Sequence, residues 1–414
     1  MKKILIATVS LIALVSCGGG NQMYFDSDTS RRTDDKNAEF DTLSYALGMN
    51  IGLGLSLQNS HLELPNDLVC EAIAKELAKQ EVDYDFLTDN SRLMSRFSLE
   101  CSRPYQMAKR ANAFKASDAE DAIELPELYN EEFTREAVAK MYGADIANYL
   151  RRMSFPFNAH WFFKAMSDAT TVTSAKDIDS LMAISGDDVR KAMNGYVKGS
   201  WPVYNDERTR EWLERVASQR GVNMMFVEND TLYYRVDVAG NGNYPQSLLD
   251  TVGFSYEVYT RAGIPVESTA KRLDDLRYNL DQTRNNNNVV YADSNARLNR
   301  INQIEAQIEK VENLRIPLSN SLIKGAQYAM KNVSEGGEIT IWMPASLAYG
   351  ERGNRVVGPN DGVVMRVKLK SVTAVTPEEG ELQPGESKVT VTPAPADIEK
   401  PVGRPHVINV PVKK

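Results

Sequence analysis

Four stretches in the C-terminal half of the chain alternate apolar and polar residues with period two. Leu232, Tyr234, Val236 and Val238 alternate with Tyr233, Arg235 and Asp237, and Val252, Phe254, Tyr256 and Val258 repeat the pattern. So do Ile339, Ile341 and Met343, and again Val363, Met365, Val367 and Leu369. Successive side chains of a strand face opposite ways, so this period sets one apolar face on a core and predicts half-buried antiparallel strands. Between the second and third stretches, Leu322, Ile323, Ala326 and Met330 share one side of a short helix expected over residues 321–331. Several strands curled over one helix make an α+β domain, placed at 221–375.

Residues 270–314 interrupt that domain. Leu273, Leu276 and Leu280 form one helical stripe, and Leu298, Ile301, Ile304, Ile308, Val311 and Leu314 form another, with Asn285 to Asn288 between them. This is the pattern of an inserted antiparallel helical hairpin, either a self-contained ornament or a partner surface.

Residues 39–220 read as helical and contain an internal repeat. Aligning Gly48 with Gly143 superposes Asn50 on Asp145, Ile51 on Ile146, Gly52 on Ala147 and Leu55 on Leu150. Each copy continues into an apolar helix, 67–77 and 160–169, and then into a polar cap, Thr88 or Ser185, before a further helix. Small residues at helical spacing allow close helix crossings, so the repeat serves packing or dimerisation. A charged helix over 205–220 leads into the α+β domain.

The amino terminus gives an address. Lys2 and Lys3 precede an apolar run from Ile4 to Val15, too short to span a bilayer and followed by the small residue Ser16, which makes residues 1–16 a secretory signal. Leu14-Val15-Ser16-Cys17 resembles a bacterial lipobox, which implies lipidation of Cys17, a tether over 17–38 and an outer-membrane lipoprotein facing the periplasm. Cys70 and Cys101 either pair in that oxidising compartment or stay reduced and buried. The segment 376–414 is rich in proline and reads as an extended, disordered tail.

Composition excludes more than it names. Forty-eight Lys and Arg against 56 Asp and Glu, a net charge of −8, give no basic footprint for nucleic acid. Three His and three Cys leave no material for a His- or Cys-rich metal site, and no cofactor is expected.

A series of short motifs in the α+β domain carries a resemblance. Gly240-Asn241-Gly242 and Pro245 open it, and the strand around Tyr256, Gly263 and Val266-Glu267-Ser268-Thr269 follow. After the insertion come Leu322-Ile323-Lys324-Gly325-Ala326, Gly336-Gly337 and Pro344-Ala345-Ser346-Leu347-Ala348-Tyr349-Gly350, then Pro359-Asn360. In order and spacing this resembles an FKBP-type peptidyl-prolyl cis-trans isomerase domain over residues 222–374. The helical repeat is similar to the dimerisation regions that precede such domains in periplasmic FKBP-type chaperones.

The resemblance implies a catalytic role for Tyr349, as hydroxyl donor, and for Tyr256 and Glu267 at the pocket. It implies substrate binding by Val266, Leu322, Ile323, Ala326, Val357 and Met365. Four positions depart from the family's usual residues: Val266 stands for an aromatic, Ala326 for a tryptophan, Met365 for a phenylalanine and Glu267 for an aspartate. The implied function is an envelope prolyl isomerase and folding chaperone of reduced activity. The alternative is a non-catalytic FKBP-like binding module in an outer-membrane assembly. Implied partners are proline-containing unfolded or nascent envelope proteins, the membrane through the lipid anchor, and a second copy through the helical region.

Overall fold

The computed structural model describes residues 23–26, 32–33, 35, 37–79, 82–113, 123–153, 157–285, 294–320, 323–375 and 391–392. The expected signal, Cys17, Leu322 and all of the expected tail except Val391–Thr392 lie outside these residues. Among the described residues no helix is long and apolar enough to cross a membrane.

The N-terminal half is built from helices α1 (Thr42–Leu53), α2 (Asn66–Leu77), α3 (Tyr84–Phe97), α4 (Arg103–Ala113), α5 (Arg135–Arg152), α6 (Ala159–Ala169), α7 (Ile178–Leu181), α8 (Gly186–Gly195) and α9 (Trp201–Ala217). A two-residue parallel bridge joins β1 (Arg32–Thr33) to β2 (Phe157–Asn158). The repeat appears as an exchange. Helix α1, opening the first unit, packs chiefly on α6 and α8 of the second, and α5, opening the second, packs on α2 and α3 of the first.

The aligned glycines mark the two crossings. A Cβ on Gly48 would stand 2.1 Å from the Phe162 carbonyl oxygen, and one on Gly143 2.5 Å from the Ala72 Cβ and 2.7 Å from the Val69 carbonyl oxygen. Only glycine lets these backbones approach so closely.

A further correspondence lies at the unit ends. A π-helical turn, Ser98–Ser102 in one unit and Tyr196–Ser200 in the other, precedes Pro104 and Pro202. A proline ring clashes with the carbonyl four residues back, Glu100 or Lys198, and the widened turn sits at that carbonyl. The cap expected at Thr88 is displaced. Asp83 is the N-cap of α3 and accepts from the Phe86 amide, while the Thr88 hydroxyl donates to the Tyr84 carbonyl inside the helix. Ser185 caps α8 as expected, accepting from the Asp188 amide.

The C-terminal half carries β3 (Asn223–Val227), β4 (Asp230–Val238), β5 (Thr251–Thr260), β6 (Pro265–Ser268), helices α10 (Thr269–Asn285) and α11 (Ser294–Glu312), β7 (Arg315–Pro317), α12 (Lys324–Ala329), β8 (Glu338–Met343), β9 (Val363–Thr373) and β10 (Val391–Thr392). The strands form one antiparallel sheet in the order β10-β3-β4-β8-β9-β5-β6. Strands β6 and β7 pair the same edge of β5 at Glu257–Tyr259 and Thr251–Gly253. The hairpin α10–α11 therefore interrupts what is otherwise one edge strand. The helix expected over 321–331 is shorter than its apolar spacing suggested. It runs as α12 and a following 3-10 turn, Met330–Asn332, with Ile323 extended at its N-terminus.

Alternation sorts each strand between two cores. Leu232, Tyr234, Val258, Ile341, Met343 and Met365 join α12 on one face. Tyr233, Tyr259, Trp342 and Val364 face the other way, against Trp212, Leu213 and Val216 of α9 and residues 23–25. The second face is therefore covered rather than solvated, because its alternate positions are aromatic or aliphatic at mid-sheet. Residues 23–26, within the expected tether, belong to this layer. Asp26 is 4% exposed and accepts from Arg208, Arg215 and Arg261.

Candidate active site

The site lies where β5, β6, α10 and the turn after β8 converge. Tyr256 points from β5 into the α12-side core and is buried, and its register neighbour in the sheet is Val367 of β9. Glu267 is paired in register with Val258, one strand further out. The 3-10 turn Ala345–Leu347 follows β8 and brings Tyr349 back over the sheet edge. The Tyr349 hydroxyl donates to Glu267 Oε1 at 2.7 Å, and the Tyr256 hydroxyl donates to Glu267 Oε2 at 3.4 Å. One carboxylate thus accepts from both tyrosines.

Burial and then Glu267 raise the titration of both hydroxyls, because phenolate formation would put a second negative charge beside the first in a poorly solvated place. Tyr256 is pushed up to about 12 by burial and by Glu267, with Arg272 opposing. Tyr349 is raised further, by burial first and then by its bond to Glu267. Both remain hydrogen-bond donors throughout the physiological range.

Outside the pair lies a cavity of about 330 Å³. Tyr256, Val266, Glu267 and Ser268 line its inner side, and Lys271, Arg272, Asp275, Leu276 and Asn279 of α10 line its outer side. The helical hairpin therefore walls the site with its first turns. It is fixed from behind by α3: Arg92 pairs with Asp275 at 2.8 Å and stacks 4.9 Å from the Tyr278 ring centroid, and Lys271 donates to the Thr88 hydroxyl at 3.2 Å.

The structure gathers the other expected residues without opening them. Ile323, Ala326, Val357 and Met365 belong to the same core as Tyr256, each at most 4% exposed. Val266 and Tyr349 pack at its margin, and Leu322 lies outside the described residues. The α10 residues were missed in the sequence. Their signal was adjacency, since Glu267 stands two residues before Thr269, where α10 begins. Among the described residues no group of His, Cys, Asp and Glu is placed to hold a metal ion. Cys70 and Cys101 are free thiols, and burial pushes Cys70 up to about 11.

Residues 280–370 match the family described as FKBP-type peptidyl-prolyl cis-trans isomerase. The chain carries an FKBP-type domain. Its helical N-terminal region and antiparallel sheet with one core helix are the α+β architecture expected from the sequence. Among curated proteins it is similar to FkpA of Escherichia coli K12, an FKBP-type peptidyl-prolyl cis-trans isomerase, at 24% identity over 168 residues, 41% of this chain and 46% of the relative. It is also similar to the peptidyl-prolyl cis-trans isomerase Mip of Coxiella burnetii, at 28% identity over 169 residues, 41% of this chain and 55% of the relative. The chain spans about half the length of these relatives. The crystal structure of FkpA from Escherichia coli aligns with 59% of this chain and 97% of its own, with 19% identity and a TM-score of 0.32.

Proposed function

We propose that this protein is a peptidyl-prolyl cis-trans isomerase and folding chaperone of the cell envelope, tethered by a lipid on Cys17, with catalysis held back in its resting state. The observation that carries this reading is the Tyr349–Glu267–Tyr256 arrangement within an FKBP-type domain, with Glu267 and Tyr256 lining a cavity beside it. Rotation about an X–Pro bond crosses a barrier of about 20 kcal/mol set by amide resonance, and needs neither nucleophile nor metal. A dry surface and one well-placed donor favour the twisted amide over the planar one.

Tyr349 is the donor. In the resting site its hydroxyl donates to the Glu267 carboxylate, and a hydrogen bond to a charged acceptor is worth about 1.5–3 kcal/mol against about 1 for a neutral one. A substrate carbonyl must displace that carboxylate before it can accept. Reduced activity follows from this competition as well as from the small side chains at Val266 and Ala326.

The second reading, a binding module without catalysis, is favoured by α10, whose charged residues narrow the approach to the pair. The test is a proline-limited refolding assay with the full chain. Acceleration that falls about fivefold in Tyr349→Phe, the effect of losing roughly 1 kcal/mol, supports the isomerase. No acceleration by the unaltered chain leaves the binding module. Incorporation of labelled palmitate, abolished by Cys17→Ser, tests the tether.

A further inference from the structure

The exchange of helices gives the molecule two equivalent interior spaces, and their contents differ. The glycine crossings set the equivalences: Tyr45 corresponds to Lys140, Met49 to Ala144, Ala165 to Ala72 and Asp168 to Lys75. The space between α1, α6 and α8 is filled. Tyr45 and Met49 are fully buried there with Val172 and Met182, which come from the long connection 170–185. Met182 is extended, at φ −101° and ψ 151°. The neighbouring Ala183 amide donates to the Tyr45 hydroxyl at 3.1 Å, and that hydroxyl donates to Asp168 at 2.7 Å. The filling is thus a connection that, after the helical turn α7, sets an extended Met182 with its side chain in the core.

The equivalent space between α2, α3 and α5 is a cleft of about 570 Å³. Its connection, 78–83, is too short to repeat the plug, and Ala144 and Lys140 withdraw the two large side chains. The lining is apolar at Leu68, Ala72, Phe86, Leu93 and Met141, and Glu71, Lys75, Glu76, Glu132 and Lys140 add charge to it. Lys79 neutralises Glu76 at 2.7 Å and Arg96 holds Glu132 at 2.8 Å. Lys75 and Lys140 are exposed lining residues, with Glu71 the remaining exposed carboxylate beside them in the lining. Where the filled space has a carboxylate and a hydroxyl that accept, the open one has two ammonium groups that donate.

We propose that the cleft between α2, α3 and α5 binds an extended polypeptide segment in which a methionine or aliphatic side chain neighbours a carboxylate. The apolar floor takes the side chain as the core of the other unit takes Met182, and the two lysines take the carboxylate or backbone carbonyls. The site is separate from the Tyr349 pair and stands whether or not that pair isomerises proline. It gives the chaperone a holding site for unfolded chains.

The probe is a fluorescein-labelled synthetic peptide of residues 171–185, which carries Asp179, Leu181 and Met182, added to the full chain and followed by anisotropy. Saturable binding is expected. Ala144→Met refills the cleft with the residue its counterpart holds, and it should weaken binding about tenfold, the worth of one buried methionine. Lys140→Glu, at an exposed position, should weaken it through charge, and a peptide bearing Met182→Ser should bind about tenfold less tightly without any change to the protein. Isomerisation of a short proline tetrapeptide without a methionine or a carboxylate side chain, measured on the same preparations, should stay unchanged. Absence of saturable binding, or equal affinity for both peptides, would overturn the proposal.

Discussion

At the residue scale the molecule is governed by a few carboxylates that answer for several neighbours. Asp26 sits with Arg208, Arg215 and Arg261, and Arg261 is also held by Asp361 at 2.9 Å, all of them largely buried except Arg215. Removing one member of such a cluster strands buried charge, so Asp26→Ala should lower unfolding stability by about 3 kcal/mol in urea titrations. Glu267 acts likewise on the two tyrosines. Tyr45, Tyr129 and Tyr256 are each pushed up to about 12, chiefly by burial. A hydroxyl raised above its unfolded value near 10 stabilises the fold fully below that pH, and the contribution drains away between pH 10 and 12. Stability should therefore fall across that window, and Tyr45→Phe should flatten the fall, as followed by circular dichroism. An unchanged slope would show that Tyr45 ionises as freely in the fold as in the unfolded chain.

At the element scale, close crossings decide which helix lies on which. A Cβ at Gly143 would meet the Val69 carbonyl at 2.7 Å, whereas one at Gly54 meets nothing within 4 Å. Gly143→Val should thus cost about 2–3 kcal/mol through overpacking, while Gly54→Ala should be neutral or stabilising by about 0.5 kcal/mol. Equal midpoints in denaturant for the two variants would contradict this. Apolar period marks some of these elements in the sequence and leaves others unmarked. The four long strands and both hairpin helices were legible because their apolar period survives in any register. Strands β3, β6 and β7 were not, since Met224 and Phe226 expose apolar side chains and the other two strands are four and three residues long. Asp83 and Thr88 are both capping types, so residue type alone does not choose between them, and the structure selects Asp83. The covered second face of the sheet needed the knowledge that α9 folds back onto Trp342. The tyrosine–carboxylate pair was legible through its motif; the wall that α10 places before it was not.

At the scale of the whole molecule, two units of helices close on each other within one chain and present one FKBP-type domain through α9. Helix α4 holds the position in the first unit that α9 holds in the second, and it carries no such domain. Because α1 and α5 find their partners inside the same chain, light scattering of the full chain should give the mass of one copy. A two-copy mass would place a dimer interface on a surface outside the exchanged helices. The hairpin links the two halves: α3 holds α10 through Arg92 and Asp275, and α10 walls the cavity beside Tyr256.

The central claim is that Tyr349 is the donor and that Glu267 withholds it. A double-mutant cycle on kcat/KM in proline-limited refolding tests this most directly. Glu267→Gln should raise kcat/KM about fivefold, because a neutral acceptor competes less well by roughly 1 kcal/mol, and should change nothing in the Tyr349→Phe background. The same change in both backgrounds, or a fall in the first, would contradict the account.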